Sequence, residues 1–124
     1  MEFVSVVNCM DGRVQEPVIN WMKKKYNAEY VDMITEPGPI KILSDNSDKC
    51  LVESIKSRLV VSVEKHGSKV IAVVGHHDCA GNPSDKQTQI NQIKNSINLI
   101  KTWFNDVEII GLWVNEKWQV EKVF

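Results

Sequence analysis

The chain has 124 residues, 43% of them hydrophobic and 25% charged, with a formal net charge of −1. It is expected to form one domain over residues 1–124 with a core of its own, and the near-neutral charge argues against a nucleic-acid partner. No run approaches the ~20 apolar residues that span a bilayer, the N-terminus lacks the cationic and apolar stretches of a signal peptide, and three cysteines are too few for a disulfide scaffold, so a cytoplasmic protein with no membrane partner is expected.

Phe3-Val4-Ser5-Val6-Val7 opens the chain as a strand and runs into Cys9-Met10-Asp11-Gly12-Arg13. Val14, Val18, Met22 and Tyr26, with Ile19 alongside, then recur at helical spacing, and Pro17 sits where a first turn tolerates it. This helix is expected to end near Asn27, and Lys23-Lys24-Lys25 in its last turn suits the negative end of the helix dipole. Tyr30-Val31-Asp32-Met33-Ile34 reads as a second strand, followed by the loop Thr35-Glu36-Pro37-Gly38-Pro39, in which two prolines bracket a glycine. Asp45-Asn46-Ser47-Asp48 offers N-caps for a helix that turns Val52, Ile55, Leu59 and Val63 inward and stops at Gly67. Cys50 on that helix reads as a small buried hydrophobe, and His66 as an exposed residue at its end.

The strand Val70 to Val74 is apolar throughout, which suits a central strand covered on both faces, and it runs into Gly75-His76-His77-Asp78-Cys79. Ser84 or Asp85 can cap a last helix carrying Ile90, Ile93, Ile97, Ile100 and Phe104 at helical spacing. Val107 to Val114, a turn at Asn115-Glu116-Lys117 and the alternating Trp118 to Val123 give a strand and a hairpin return. The alternation of strands and helices predicts an α/β fold of three layers: a mainly parallel sheet with flanking helices and an antiparallel C-terminal edge strand.

In such a sheet, neighbouring parallel strands deliver their carboxyl ends to the edge where ligands bind. The two strand-end motifs are therefore expected to converge. Cys9, His76 and Cys79 form a mixed sulfur and nitrogen set that suits zinc, bound tetrahedrally. His76 and Cys79 can come from one turn, whereas Cys9 joins them only if the two strands lie close. Three protein ligands leave a position that in catalytic sites holds a water, whose pKa zinc lowers to about 7. Asp11 and Arg13, two apart on an extended segment, face the same way, so Arg13 can hold the Asp11 carboxylate by charge-assisted hydrogen bonds. Held off the metal, Asp11 can orient the bound hydroxide. Released, it can become the fourth ligand and close the site, and the sequence leaves both open. His77 and Asp78 read as loop residues or supports for the ligands.

These residues resemble the β-class carbonic anhydrase family, which carries C-x-D-x-R after its first core strand and H-x-x-C after a later one. Here the motifs are Cys9-Met10-Asp11-Gly12-Arg13 and His76-His77-Asp78-Cys79. The run Leu51 to Gly81 and the strand with its antiparallel return are similar in order and spacing, so the resemblance covers nearly the whole chain. It implies reversible hydration of carbon dioxide to bicarbonate, with Zn2+ on Cys9, His76 and Cys79 and with Asp11 and Arg13 as the catalytic dyad. It also implies a homodimer or higher homo-oligomer. The chain reaches Cys9 without the helices that family members carry before this motif, so a differently built dimer is expected. Thr35-Glu36-Pro37-Gly38-Pro39 stands where the family usually presents an arginine-asparagine-alanine-glycine loop, and Glu36 brings a carboxylate there. Two other readings keep the metal: a zinc hydrolase of another small heterocumulene, such as carbon disulfide or carbonyl sulfide, and a non-catalytic zinc module in which Asp11 stays bound.

Overall fold

A computed structural model describes residues 1–124. Five strands form one sheet: β1 (Phe3–Cys9), β2 (Tyr30–Glu36), β3 (Val70–His76), β4 (Glu108–Val114) and β5 (Val120–Lys122), in the order β2-β1-β3-β4-β5. The first four pair in parallel, and β5 returns antiparallel at the edge, with Leu112 opposite Lys122 and Val114 opposite Val120. Helix α1 (Gln15–Tyr26) lies on one face. On the other lie α2 (Pro39–Asp45), α3 (Lys49–Val60) and α4 (Lys86–Lys101).

Every residue of β3 is buried, as an apolar central strand between two helical layers requires. Alternate residues of β3 feed two cores. Val70, Ala72 and Val74 pack with Val14, Val18 and Met22 on the α1 side, while Ile71 and Val73 pack with Ile55, Leu59, Ile93 and Ile100 on the other. Burying a side chain of this size contributes roughly 1.5–3 kcal/mol.

The helix ends follow their sequence signals. Asn27 closes α1 in the left-handed region at φ 50°, a conformation that asparagine tolerates. Asp48 caps α3 by accepting from the Leu51 N–H, and Asp85 caps α4 by accepting from the Thr88 N–H.

Four expectations need correction. Thr35 and Glu36 continue β2 in register with Asn8 and Cys9 rather than entering a loop. Pro39 then starts α2 from the first-turn position that proline favours. Cys50 is exposed, because it lies about 200° around α3 from Val52, which begins the buried stripe. His66 is exposed but not idle: its Nδ1 bonds Asp32 Oδ2 at 2.7 Å and its ring stacks on Phe3. It follows a π-helical turn, Val61–Lys65, that extends α3 and carries the buried Ser62 hydroxyl to Asp32 and to Ser5 on β1.

The strand order places the site. Chain connections leave β1 toward β2 on one side and reach β3 on the other, so the order reverses between β1 and β3. That reversal is where open α/β sheets bind ligands, beyond the carboxyl ends of the strands. The two ends there are Cys9 and His76.

Candidate metal centre

Cys9 ends β1, His76 ends β3, and Cys79 follows in the turn after β3; all three are buried. Their ligand atoms lie within 4.8 Å of one another. The sulfurs of Cys9 and Cys79 are 3.8 Å apart. Zn–S bonds of about 2.3 Å in a tetrahedral site would set two sulfurs about 3.8 Å apart, so this separation is already that of a ligand pair. His76 donates from Nδ1 to the His77 carbonyl at 2.7 Å, which leaves Nε2 as the atom with the free lone pair. That Nε2 is buried and has no hydrogen-bonding partner. Buried polar atoms are rarely left so. A soft, mixed-donor set with one orphaned imidazole nitrogen fits a zinc-like ion.

The protonation pattern prepares the same set. The hydrogen bond between the Cys9 and Cys79 sulfurs does most to hold the Cys9 thiol below its ordinary range; His76 and the amides of Gly38 and Asp11 assist against the opposing effect of burial. The same bond, with burial, raises Cys79. Burial opposes a charged His76 ring, but Cys9, the His77 carbonyl and the charge of Asp11 outweigh it and raise its pKa. The two sulfurs thus share a proton that a metal would displace on binding both as thiolates.

Asp11 and Arg13 meet, but not across an extended segment as expected. Asp11 caps a 3₁₀ turn, Gly12–Val14, by accepting from the Arg13 N–H at 2.9 Å. The turn curls the Arg13 guanidinium back onto the carboxylate, with Nε at 3.1 and 3.2 Å from its two oxygens and NH2 at 2.7 Å from Oδ2. These bonds hold the Asp11 carboxyl down at about 2 and push Arg13 further up.

Three supports complete the site, and of these the sequence marked only Asp78 as a support. Asp78 accepts from Arg13 through Oδ2 at 3.2 Å and through its carbonyl at 3.1 Å. Trp118, in the β4–β5 turn, lies under the guanidinium at 4.5 Å, within cation–π range. Gln15 donates from Nε2 to the carbonyls of both Cys9 and Asp11, each at 2.7 Å, and so ties the first motif into a fixed turn. His77 is exposed and points to no ligand position, its ring lying 6.4 Å from Trp118.

Cys9, Met10, Asp11, Pro37, Ala80 and Gly81 line a cavity of about 230 Å³ beside the set. Pro37 enters this wall because Gly38 folds tightly on the turn after Cys79. Gly38 has φ +62°, and a Cβ on it would stand 2.8 Å from Gly81 and Asn82. Glu36, expected to bring negative charge to the site, instead binds Arg58 of α3 at 2.6 Å. Its carboxylate is neutralised there and is absent from the cavity wall.

Comparison with known proteins identifies the family and the fold. Residues 1–124 match the family described as "Putative carbonic anhydrase". The carbonic anhydrase of Streptococcus mutans superposes with a TM-score of 0.70 at 19% identity, over 98% of this chain and 81% of that one. β-Carbonic anhydrase isoform I of Trichomonas vaginalis gives 0.68 at 18%, over 98% and 81%. One of the two tetrameric β-carbonic anhydrases of Sordaria macrospora gives 0.60 at 14%, over 98% and 80%. No curated protein matches the chain. With its full length matched, the chain belongs to the carbonic anhydrase family, and its fold is that of the β-class enzymes.

Proposed function

We propose that residues 1–124 act as a single β-carbonic-anhydrase-like domain that catalyses the reversible hydration of carbon dioxide to bicarbonate, with zinc held by Cys9, His76 and Cys79. The observation that carries this reading is the His76 Nε2 atom, buried, partnerless and grouped with two cysteine sulfurs 3.8 Å apart. Bound there, zinc supplies a water of pKa about 7 and hence a nucleophile at neutral pH.

The chain's own residues do the rest. With its carboxyl at about 2, Asp11 is too weak a base to store a proton at neutral pH. It would serve instead as a hydrogen-bond acceptor that orients the nucleophile beside the cavity it lines. Arg13 keeps that carboxylate in place. The cavity, walled by Met10, Pro37 and Ala80, admits a small apolar molecule and offers no cationic side chain to a larger anion. Carbon dioxide gains the water's oxygen at carbon, one proton leaves to solvent, and bicarbonate forms.

The family match and the β-class fold support this chemistry. A homodimer or higher homo-oligomer belongs to the same reading, by likeness to relatives described as tetrameric. So does a cytoplasmic location; no helix is long and apolar enough to cross a membrane.

Stopped-flow assay of zinc-loaded protein tests the proposal. Carbon dioxide hydration well above free zinc, and lowered in Asp11→Asn, is expected. Sulfide release from carbonyl sulfide or carbon disulfide without carbon dioxide hydration would transfer the mechanism to another heterocumulene. No turnover of any of the three, with one zinc bound per chain, would leave a non-catalytic zinc module.

A further inference from the structure

We infer that Gln89 of α4 positions the His76 ligand by clamping its main chain, an inference that rests on the metal reading above. Gln89 is buried at 1% exposure and shares the apolar stripe of α4 with Ile93, Ile97 and Ile100. A carboxamide in that position must find partners inside the protein. Its Oε1 accepts from the His76 N–H at 2.8 Å, and its Nε2 donates to the His76 carbonyl at 2.9 Å. From β4, Trp113 Nε1 donates to the same Oε1 at 3.3 Å.

The sheet explains why the clamp is needed at this residue. β1 and β3 pair only from Ser5↔Ile71 to Val7↔Val73. The His77 N–H donates to the Val114 carbonyl on β4, so by strand alternation the polar main-chain groups of His76 face away from β4, toward the gap where β1 has parted from β3. Parting opens room for the metal-ligand set but deprives His76 of a strand neighbour on the β1 side. The Gln89 carboxamide supplies the one acceptor and one donor that a strand would have provided.

Gly75 makes the approach possible. A Cβ there would stand 2.7 Å from Gln89 Oε1 and 2.8 Å from Ile40 Cδ1. Side chains alternate across a strand, so the clamp arrives over the face opposite the imidazole. The ring is then fixed twice: its main chain by Gln89, its Nδ1 by the His77 carbonyl. Gln89 touches neither sulfur nor ring, so it is a positioning residue.

The test is the rate of zinc release to a chelator, together with the visible spectrum of the cobalt(II)-substituted protein, in wild type, Gln89→Met and Ser96→Ala. Ser96 is the control: buried on the same helix, it donates to the Ile40 and Gln92 carbonyls and hydrogen-bonds no residue of β3. Loss of a residue that orients a ligand typically costs ~10–100-fold in metal affinity. Gln89→Met should accordingly release zinc ~10–100-fold faster with altered cobalt bands, while Ser96→Ala keeps the wild-type rate and spectrum. Should Gln89→Met not fold, Gln89→Glu decides instead, since it keeps the shape and the acceptor but lacks the amide donor to the His76 carbonyl. Wild-type release and spectrum in the Gln89 variants, or equally fast release from Ser96→Ala, would overturn the inference. A wild-type chain that takes up no zinc would overturn the metal reading itself, and the inference with it.

Discussion

Asp11 and Cys9 are each drawn toward the charged form by different partners, and the difference is measurable. The Arg13 guanidinium holds the Asp11 carboxyl at about 2, from an ordinary 3.8. Because the folded value is the lower one, the stability it contributes is complete above the ordinary carboxyl range and is lost as pH falls through about 2. Acid unfolding of Asp11→Asn should therefore be less steep in that window than that of wild type, by circular dichroism. Arg13→Ala should let the carboxyl rise toward its ordinary value and swing free, lowering kcat for carbon dioxide hydration by about 10–100-fold; full activity in this variant would remove Arg13 from the dyad. Cys79 and His76 are both raised, and metal ligands bind deprotonated. Zinc uptake near neutral pH should thus release protons, with affinity rising as pH rises. Calorimetry in buffers of different ionisation enthalpy would count them.

Among the elements, the two turns at the site interlock. Gly38 follows β2 in the left-handed region and presses on Gly81 and Asn82 in the turn after Cys79. Gly38→Ala should cost about 1–3 kcal/mol from the backbone conformation alone, plus the displacement of Gly81, and thermal unfolding would record a lowered Tm. The strands were legible as apolar runs, and the caps Asn27, Asp48 and Asp85 as residues suited to helix ends. Helix α2 was not, because seven residues show too little periodicity to separate a helix from a proline-bracketed loop. Cys50 misled although the stripe through Val52, Ile55 and Leu59 was legible, because the usual burial of a free cysteine outweighed its place about 200° around the helix from Val52. Ligands set by a motif could be named from sequence. Asp78 could be read as a support beside them, but not its partner: it reaches Arg13 from 65 residues away, and nothing local marks that pairing. Gln89 left one trace, a polar residue on an otherwise apolar helical stripe, which calls for a buried partner.

For the whole molecule, the parallel sheet brings together two motifs that are far apart in sequence. Cys9 and Cys79 are 70 residues apart and meet because β1 and β3 are neighbours at the point where the strand order reverses. Helical layers on both faces hold those strands so closely packed that the donor atoms stand within 4.8 Å of one another. We propose that this set, with Asp11 beside it, turns over carbon dioxide. The most direct test is the pH dependence of carbon dioxide hydration by the zinc-loaded chain, followed by stopped flow from about pH 6 to about pH 9. A rate that scales with bound zinc and climbs with pH as a metal-activated water ionises is the predicted result. A rate no higher than that of free zinc at every pH would contradict the claim.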